Sequence, residues 1–470
     1  MSKRKTATPK IQMRDDLGRS ARAVALHMLM RIEEGGAYAN VLLRESDDMA
    51  RLQASDRALV TELVYGTVAW KKRLAYALQA YTERDIATFD GWFRLLLLMA
   101  FYQLLFLSRI PPYAVVSETV ALAKRFGHDG HAKTANAVLR AYTRDPSRAA
   151  PPKTGERVRD LALRLSYPEW LVERWVAQYG EQAAERLMET ANAAPRLFVR
   201  LNGLKPDAED VVRRTLAERG ATMTPVEGLK RAYVVHGPAS VLRDLIEGGW
   251  LTVQDVSAQL VAHALRPLPG QRIFDACAAP GGKATHIAEL VGDEGEIVAA
   301  DVHAHKIRRL EREKARLGLR ALVVIQEDAT AIRRLPRAHF DRVLVDAPCS
   351  GLGTLGRKPE IKWRLRPPDL ASLAAKQRAI LRGVAPYVAP GGLLVYSTCT
   401  LNREENEEAV YVFLRETTNF IPDPSLIDDL PDWPNIRAVG PGMVEVWPGE
   451  TGGDGFFIAR LKCIESIPGR

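Results

Sequence analysis

The sequence predicts an α/β protein built on a mainly parallel sheet, preceded by an all-α domain and a small α+β connector. Three observations carry this. From about Trp250, short apolar runs at 272–275, 296–301, 321–325, 342–346 and 393–397 alternate with helical stretches, the pattern of parallel strands covered by helices on both faces. From about Gly18 to Thr143, apolar residues recur at helical spacing and period-2 alternation is absent. Between these lies a stretch with both textures.

The chain opens on MSKRKTATPK, basic with no apolar segment behind it. This is no secretory signal and reads as a disordered, solvated arm over 1–17. The helical domain covers 18–147. Ala21, Val24, Ala25, Met28 and Ile32 share one helix face, as do Leu59, Leu63, Val64 and Val68, and Ser55-Asp56 supplies a start for the second helix. The run 95–107, broken only by Gln103, falls short of the roughly 20 residues of a membrane span and reads as a buried helix. Pro111-Pro112 ends it and 115–126 begins another. A linker follows over 148–160, in SRAAPPKTGE and beyond. The connector, 161–249, reads as a helix at 170–190, strands at 197–201 and 232–235, and a helix over 206–219 with Pro206 in its first turn. The sheet domain covers 250–465. No internal repeat interrupts this order.

Hydrophobic residues make up 47% and charged residues 26% of the 470, a soluble globular balance. The lack of a signal and the four cysteines (277, 349, 399, 463) point to a cytoplasmic chain with free thiols. The net charge is +9, and 301–366 alone holds 16 Lys and Arg against 8 Asp and Glu. That excess suits a polyanion such as nucleic acid. It suits a solvated helix face equally, because EREKAR is ordinary exposed helix.

The first sheet strand runs into Asp275-Ala-Cys277-Ala278-Ala279-Pro280-Gly281-Gly282-Lys283, and a helix opens at Ala284. Small residues and glycines let backbone approach a ligand, and a helix start offers free N–H donors. Asp301 closes the second strand 20 residues after Gly281, where a carboxylate accepts from ribose hydroxyls. The loop matches neither G-x-G-x-x-G nor the phosphate-binding P-loop, since Cys277 replaces the first Gly and Ala284 the Ser or Thr. A cofactor with an adenosine end and no pyrophosphate fits, and S-adenosylmethionine is one. A plain strand-to-helix turn is the competing reading. Asp328 is a candidate for the adenine amino group, or an exposed loop acid.

Two further strand ends carry Asp346-Ala-Pro-Cys349 and Ser-Thr-Cys399, on the edge where parallel sheets bind ligands. Thiolates there can attack an electrophile. Carbon 5 of a pyrimidine is a poor nucleophile, and thiolate addition at carbon 6 activates it. Asp346 is placed to bond the base amino group or ring nitrogen. A single cysteine at a strand end is more often a small buried hydrophobe. Zinc is disfavoured because no C-x-x-C pair exists and His303 and His305 read as a helix start.

DACAAPGGKATH at 275–286, VLVDAPCSGLGTLGRKPEIKWR at 343–364, LLVYSTCTLNREENE at 393–407 and GDGFFIAR at 453–460 resemble the motifs of the RsmB/Sun family of RNA 5-methylcytosine methyltransferases. The stretches 56–67, 101–105 and 136–140 are similar to the helical NusB-like domain that precedes the methyltransferase in the RsmB branch. Ala100 and Thr354-Leu-Gly depart from the pattern, away from the chemistry. The resemblance implies a Rossmann-like methyltransferase sheet, S-adenosylmethionine as cofactor, and cytosine-5 methylation of bacterial 16S ribosomal RNA; a monomer without a metal is expected. It assigns Cys399 as nucleophile and Cys349 to product release. It implies that Cys277 to Lys283, with Asp301, Asp328 and Asp346, line the cofactor and base pocket, Lys283 and Asp346 lying at the chemistry. Lys358, Lys362, Trp363 and Arg364 become the expected RNA contacts, the lysines and arginine on phosphates and Trp363 stacked on a base. The alternatives are a tRNA cytosine-5 methyltransferase and a non-catalytic RNA-binding or assembly factor; the second leaves the cysteine pair without a purpose. The absent pyrophosphate fingerprint disfavours a dehydrogenase, and Asp-Ala-Pro-Cys in place of an Asp/Asn-Pro-Pro-aromatic motif disfavours an amino methyltransferase.

Overall fold

The computed structural model describes residues 20–431, 433–449 and 452–464; the basic arm expected over 1–17 lies outside them. The described chain divides into two compact units, Met1–Glu185 with Arg357–Trp363, and Arg186–Gly356 with Arg364–Arg470.

Among the described residues, the first unit contains helices and no strand. Its core gathers Val24, Leu29, Leu63, Val64, Leu97, Phe101, Val115 and Leu139, each essentially inaccessible. The apolar run folds as the helix Gly91–Phe106, buried on nearly every side from Trp92 to Gln103, and among the described residues no helix is long and apolar enough to cross a membrane. Pro112 begins the next helix, Pro112–Phe126, in the position where a missing N–H costs nothing. The helix expected to start at Ser55 starts at Ala54 instead, with Gln53 as an extended cap residue that makes no side-chain bond. The compact unit continues past the expected linker through Arg157–Arg164 and Glu169–Tyr179. Gly180, at φ 78°, ends that last helix, so the helical stretch expected over 170–190 forms two helices.

The second unit holds two sheets. The connector sheet is antiparallel and contains β1 (Leu197–Leu201), β2 (Thr222–Pro225), β3 (Ala232–His236) and β4 (Leu251–Val253), in the order β2-β3-β1-β4. The helix Ala208–Glu218 buries Val212 and Leu216 with Val199 and Val235 in one core. From the other face Phe198 joins the core under the larger sheet.

The large sheet contains β5 (Arg272–Asp275), β6 (Glu296–Asp301), β7 (Leu322–Gln326), β8 (Phe340–Asp346), β9 (Val388–Thr398), β10 (Phe420–Pro422), β11 (Ile436–Gly440), β12 (Met443–Val446) and β13 (Phe456–Cys463). Its order is β11-β12-β13-β9-β8-β5-β6-β7, with β10 also on β13. The strands β5 to β9 run parallel, and β13 enters antiparallel beside β9. Leu344, Val395 and Ile273 fill one face and Val343, Leu394 and Phe274 the other, so both faces are dry, as a parallel sheet requires. The five parallel strands fall where apolar runs predicted them. The strands β10 to β13 were not anticipated. Buried Arg460, bonded to Asp423 and Asp429, hides the apolar character of β13, and the others are only three to five residues long.

Candidate active site

Strand order reverses between β5 and β8, and the crevice beyond their carboxyl ends is where such sheets bind ligands. The loop after β5 approaches this crevice. Ala278 N–H donates to Ala300 O at 2.8 Å and Gly281 N–H to Ala278 O at 2.8 Å, curling the loop tightly. Gly281 has φ 112°, and a Cβ there would stand 2.7 Å from Leu310 Cδ1, so only glycine fits. The helix Gly282–Leu290 then begins with its N–H groups at the crevice. Asp275, fully buried, accepts from Cys277 N–H at 3.4 Å through Oδ1. Its Oδ2 meets no partner among the described residues. Burial, then Asp346 nearby, push its carboxyl up to about 8, with Lys283 opposing. Burial also raises the Cys277 thiol, with Asp275 adding to it.

Asp301, at the end of β6, is nearly buried; it accepts from His303 N–H at 3.0 Å and faces Lys306 Nζ at 3.3 Å. Asp328 is exposed and bonded to the Thr330 hydroxyl and N–H at 2.7 and 2.9 Å, which hold its carboxyl below its ordinary value. An orphaned buried carboxyl oxygen, a glycine cradle and a carboxylate at the next strand end together fit a nucleoside-bearing cofactor.

The chemistry-bearing residues converge one strand over. β8 and β9 are parallel with Asp346 opposite Ser397. The chain leaves both strands at the same level, and Cys349 and Cys399 meet with their sulfurs 3.3 Å apart. Lys283 reaches across from the cofactor loop; its Nζ donates to Asp346 Oδ2 at 2.7 Å and lies 5.0 Å from the Phe456 ring centroid. Ser397 Oγ donates to Asp346 Oδ1 at 2.9 Å. Burial pulls the Lys283 ammonium down, but Asp346 more than offsets this and its pKa is raised. Gly353 N–H donates to Cys399 O at 3.0 Å and Gly455 N–H to Gly353 O at 2.7 Å, so the motif at 453–460 serves as scaffold for the thiol loop. A Cβ on Gly353 would lie 1.9 Å from Gly455 O. All four cysteines are free, and among the described residues no group of three or more His, Cys, Asp or Glu side chains is arranged to hold a metal ion.

Two expected RNA contacts are placed elsewhere. Lys362 is 1% exposed, its ammonium 3.8 Å from the Tyr167 ring centroid. Trp363 packs on the helical core and its indole N–H donates to Val68 O at 2.7 Å. A buried ammonium and a ring engaged in packing do not meet phosphates or bases, which corrects that expectation. Lys358 and Arg364 are half-buried.

Two residues were missed. Arg200 of β1, 1% exposed, pairs with Glu289 at 2.8 Å, donates to Gly282 O at 3.1 Å and bonds Gln254. It thus ties the connector to the cofactor loop. A charge inside an apolar strand is the signal that could have found it. Glu405, fully buried, is the hub of hydrogen bonds around the thiol loops. Its position in an acid-rich run disguised it as solvated surface.

A parallel sheet with an antiparallel strand beside β9, a glycine loop after its first strand and reactive side chains at the neighbouring strand ends defines a Rossmann-like methyltransferase. The chain belongs to the 16S rRNA methyltransferase RsmB/F family. The model of that family matches residues 262–462, the NusB family model residues 19–144, and the ferredoxin-like domain of RsmF/B-like methyltransferases residues 167–242. A Bacillus subtilis (strain 168) protein named "Probable ribosomal RNA small subunit methyltransferase B" is 38% identical over 94% of this chain and 98% of its own length. The "Ribosomal RNA small subunit methyltransferase B" of Salmonella paratyphi B is 34% identical over 92% of this chain and 95% of its own. Among solved structures, that of PH0851 superposes with a TM-score of 0.76 at 25% identity, covering 94% of this chain and 97% of that one. A methyltransferase homologue from Pyrococcus horikoshii superposes with a TM-score of 0.55 at 26% identity, covering 66% and 99%. The protein is therefore an RNA methyltransferase of the ribosomal RNA class.

Proposed function

We propose that the protein methylates carbon 5 of a cytosine in 16S ribosomal RNA through a covalent thiol adduct. The observation that carries this is the Cys349–Cys399 contact of 3.3 Å beside the Lys283–Asp346 pair; methylation of an exocyclic amine or a ribose hydroxyl has no use for two thiols. S-adenosylmethionine supplies the methyl group. Asp301 would accept from its ribose, Asp328 would accept from the adenine amino group, and the backbone of 277–282 would hold the remainder. Asp346, oriented by Lys283 and Ser397, accepts from the cytosine amino group. Cys399 thiolate bonds carbon 6, and the electron pair released to carbon 5 takes the methyl group. Loss of the carbon-5 proton to a base returns an electron pair to the ring and expels the Cys399 thiolate, with Cys349 serving this last stage. Lys358 and Arg364 are proposed to meet phosphates.

Bisulfite sequencing of 16S RNA after incubation with the enzyme tests the product, one protected cytosine being expected. A denaturing gel tests the route. Cys349→Ala should accumulate a covalent protein–RNA adduct that the Cys349→Ala/Cys399→Ala double variant lacks. Full turnover by both single variants would end the covalent route.

A further inference from the structure

Two thiols in contact cannot both ionise, since one thiolate disfavours the other. A mechanism that gives them different roles needs a feature that makes them unequal. The carboxylate of Glu405 lies on the Cys349 side. It accepts from Ser350 N–H at 2.8 Å and Ser350 Oγ at 2.5 Å, the residue directly after Cys349. Gln377 Nε2 and Asn402 Nδ2 each donate to it at 2.9 Å. Every neighbour donates, which suits the acceptor-only ionised form, and no lysine or arginine pairs with it among the described residues. Thr400 Oγ1, next to Cys399, bonds Ser350 Oγ at 2.8 Å. One buried acid therefore holds both thiol loops in register.

Charged groups act on both thiols. Cys349 faces Asp346 from β8 and Glu405 from the loop after β9, besides Cys399 itself; the shared hydrogen bond with Cys399 and burial push its thiol up, and both acids add to this. Cys399 faces the Lys283 ammonium from the helix Gly282–Leu290. Tyr396 of β9 is buried beside Cys349, with Arg378 acting on it from the helix Pro367–Val384, and Asp275 of β5 acts on Lys283.

We propose that Glu405 is a positioning residue that makes the two touching thiols unequal: it pins the Cys349 loop and keeps negative charge on that side, leaving Cys399, on the Lys283 side, to become the thiolate. This rests on the covalent reading above, in which the two cysteines act at different stages.

Alkylation of the full-length protein by iodoacetamide across a pH series, read by peptide mass spectrometry, tests it without RNA. In the unmodified sequence Cys399 should react at lower pH than Cys349. In a Cys399→Ser background, where Cys349 titrates alone, Glu405→Gln should raise Cys349 alkylation at a fixed pH below its pKa roughly tenfold, because the thiolate fraction grows once the neighbouring negative charge is gone. A purely structural Glu405 would lower stability and leave that pH profile in place, and an unchanged Cys349 rate in a folded Glu405→Gln variant overturns the proposal. Should the variant not fold, the order in the unmodified sequence decides: Cys399 first supports the assignment, Cys349 first or the two together overturns it. The adduct gel fails separately, so loss of the covalent reading and loss of the Glu405 role are distinguishable.

Discussion

Replacing Arg200 with Met tests whether the connector holds the cofactor loop. Arg200 and Glu289 are 1% and 4% exposed in their side chains. The guanidinium donates to both Glu289 oxygens, at 2.8 and 3.1 Å, to Gly282 O at 3.1 Å and to Thr285 Oγ1 at 3.3 Å, besides its bond to Gln254. Met has a similar reach and no charge. The variant leaves Glu289 buried with only Gly203 N–H, at 3.2 Å, from the set it shared. Breaking a buried pair from one side costs about 3–5 kcal/mol. Removing both partners, as Arg200→Met/Glu289→Met, costs less than the single change because no charge is left stranded. Urea unfolding monitored by hydrogen exchange in the helix Gly282–Leu290 reads the stability of this region. Binding of S-adenosylhomocysteine by calorimetry reads the loop, and weaker binding is expected because Gly282 O loses its charged donor. A single-variant loss under about 1 kcal/mol, with unchanged binding, would refute the brace.

Other outcomes follow from the same geometry. Asp301→Ala should weaken binding of the same ligand by about 1.5–3 kcal/mol, the value of charge-assisted hydrogen bonds; equal affinity in a folded variant removes Asp301 from the site. Asp275 has its carboxyl raised in the fold to about 8 from 3.8, so between those values the fold holds a proton the unfolded chain has lost. Its contribution to stability therefore falls as pH rises from about 4 to 8, by at most about 1.4 kcal/mol per unit, and levels above. Asp275→Asn should lack that slope in urea midpoints at pH 5 and 8, and parallel curves for the two proteins would count against it. Gly353→Ala places a Cβ 1.9 Å from the Gly455 carbonyl oxygen; it should cut methyl transfer at least about tenfold through displacement of the Cys399 loop, a step of 1.4 kcal/mol, and normal turnover would show that the two loops can part.

Much of the site was legible before any coordinates. Asp275, Asp301, Asp346, Cys349 and Cys399 fall at or just after strand ends, and strand ends are readable because short apolar runs stop abruptly at polar or small residues. The β8–β9 register, with Asp346 opposite Ser397, then brings the two cysteines level. Lys362 and Trp363 misled for a definite reason. A basic, aromatic stretch reads alike whether it is solvated or packed, and only the Tyr167 ring and Val68 carbonyl show which applies.

Periodicity and residue type, both local properties of the chain, were enough for the sequence of helical, mixed and parallel-sheet regions, the five parallel strands and the placing of two thiols at one sheet edge. Packing settled what lies far apart in the chain and close in space. Arg200 meets Gly282 and Glu289 across more than 80 residues, and Glu405 meets Ser350 across 55. Neither partner carries a local mark of the other. A charged side chain in a strand or an acidic run is assigned to solvent until the packing shows it buried, and burial, which decides whether a charge is surface or scaffold, is settled only when the distant segments come together.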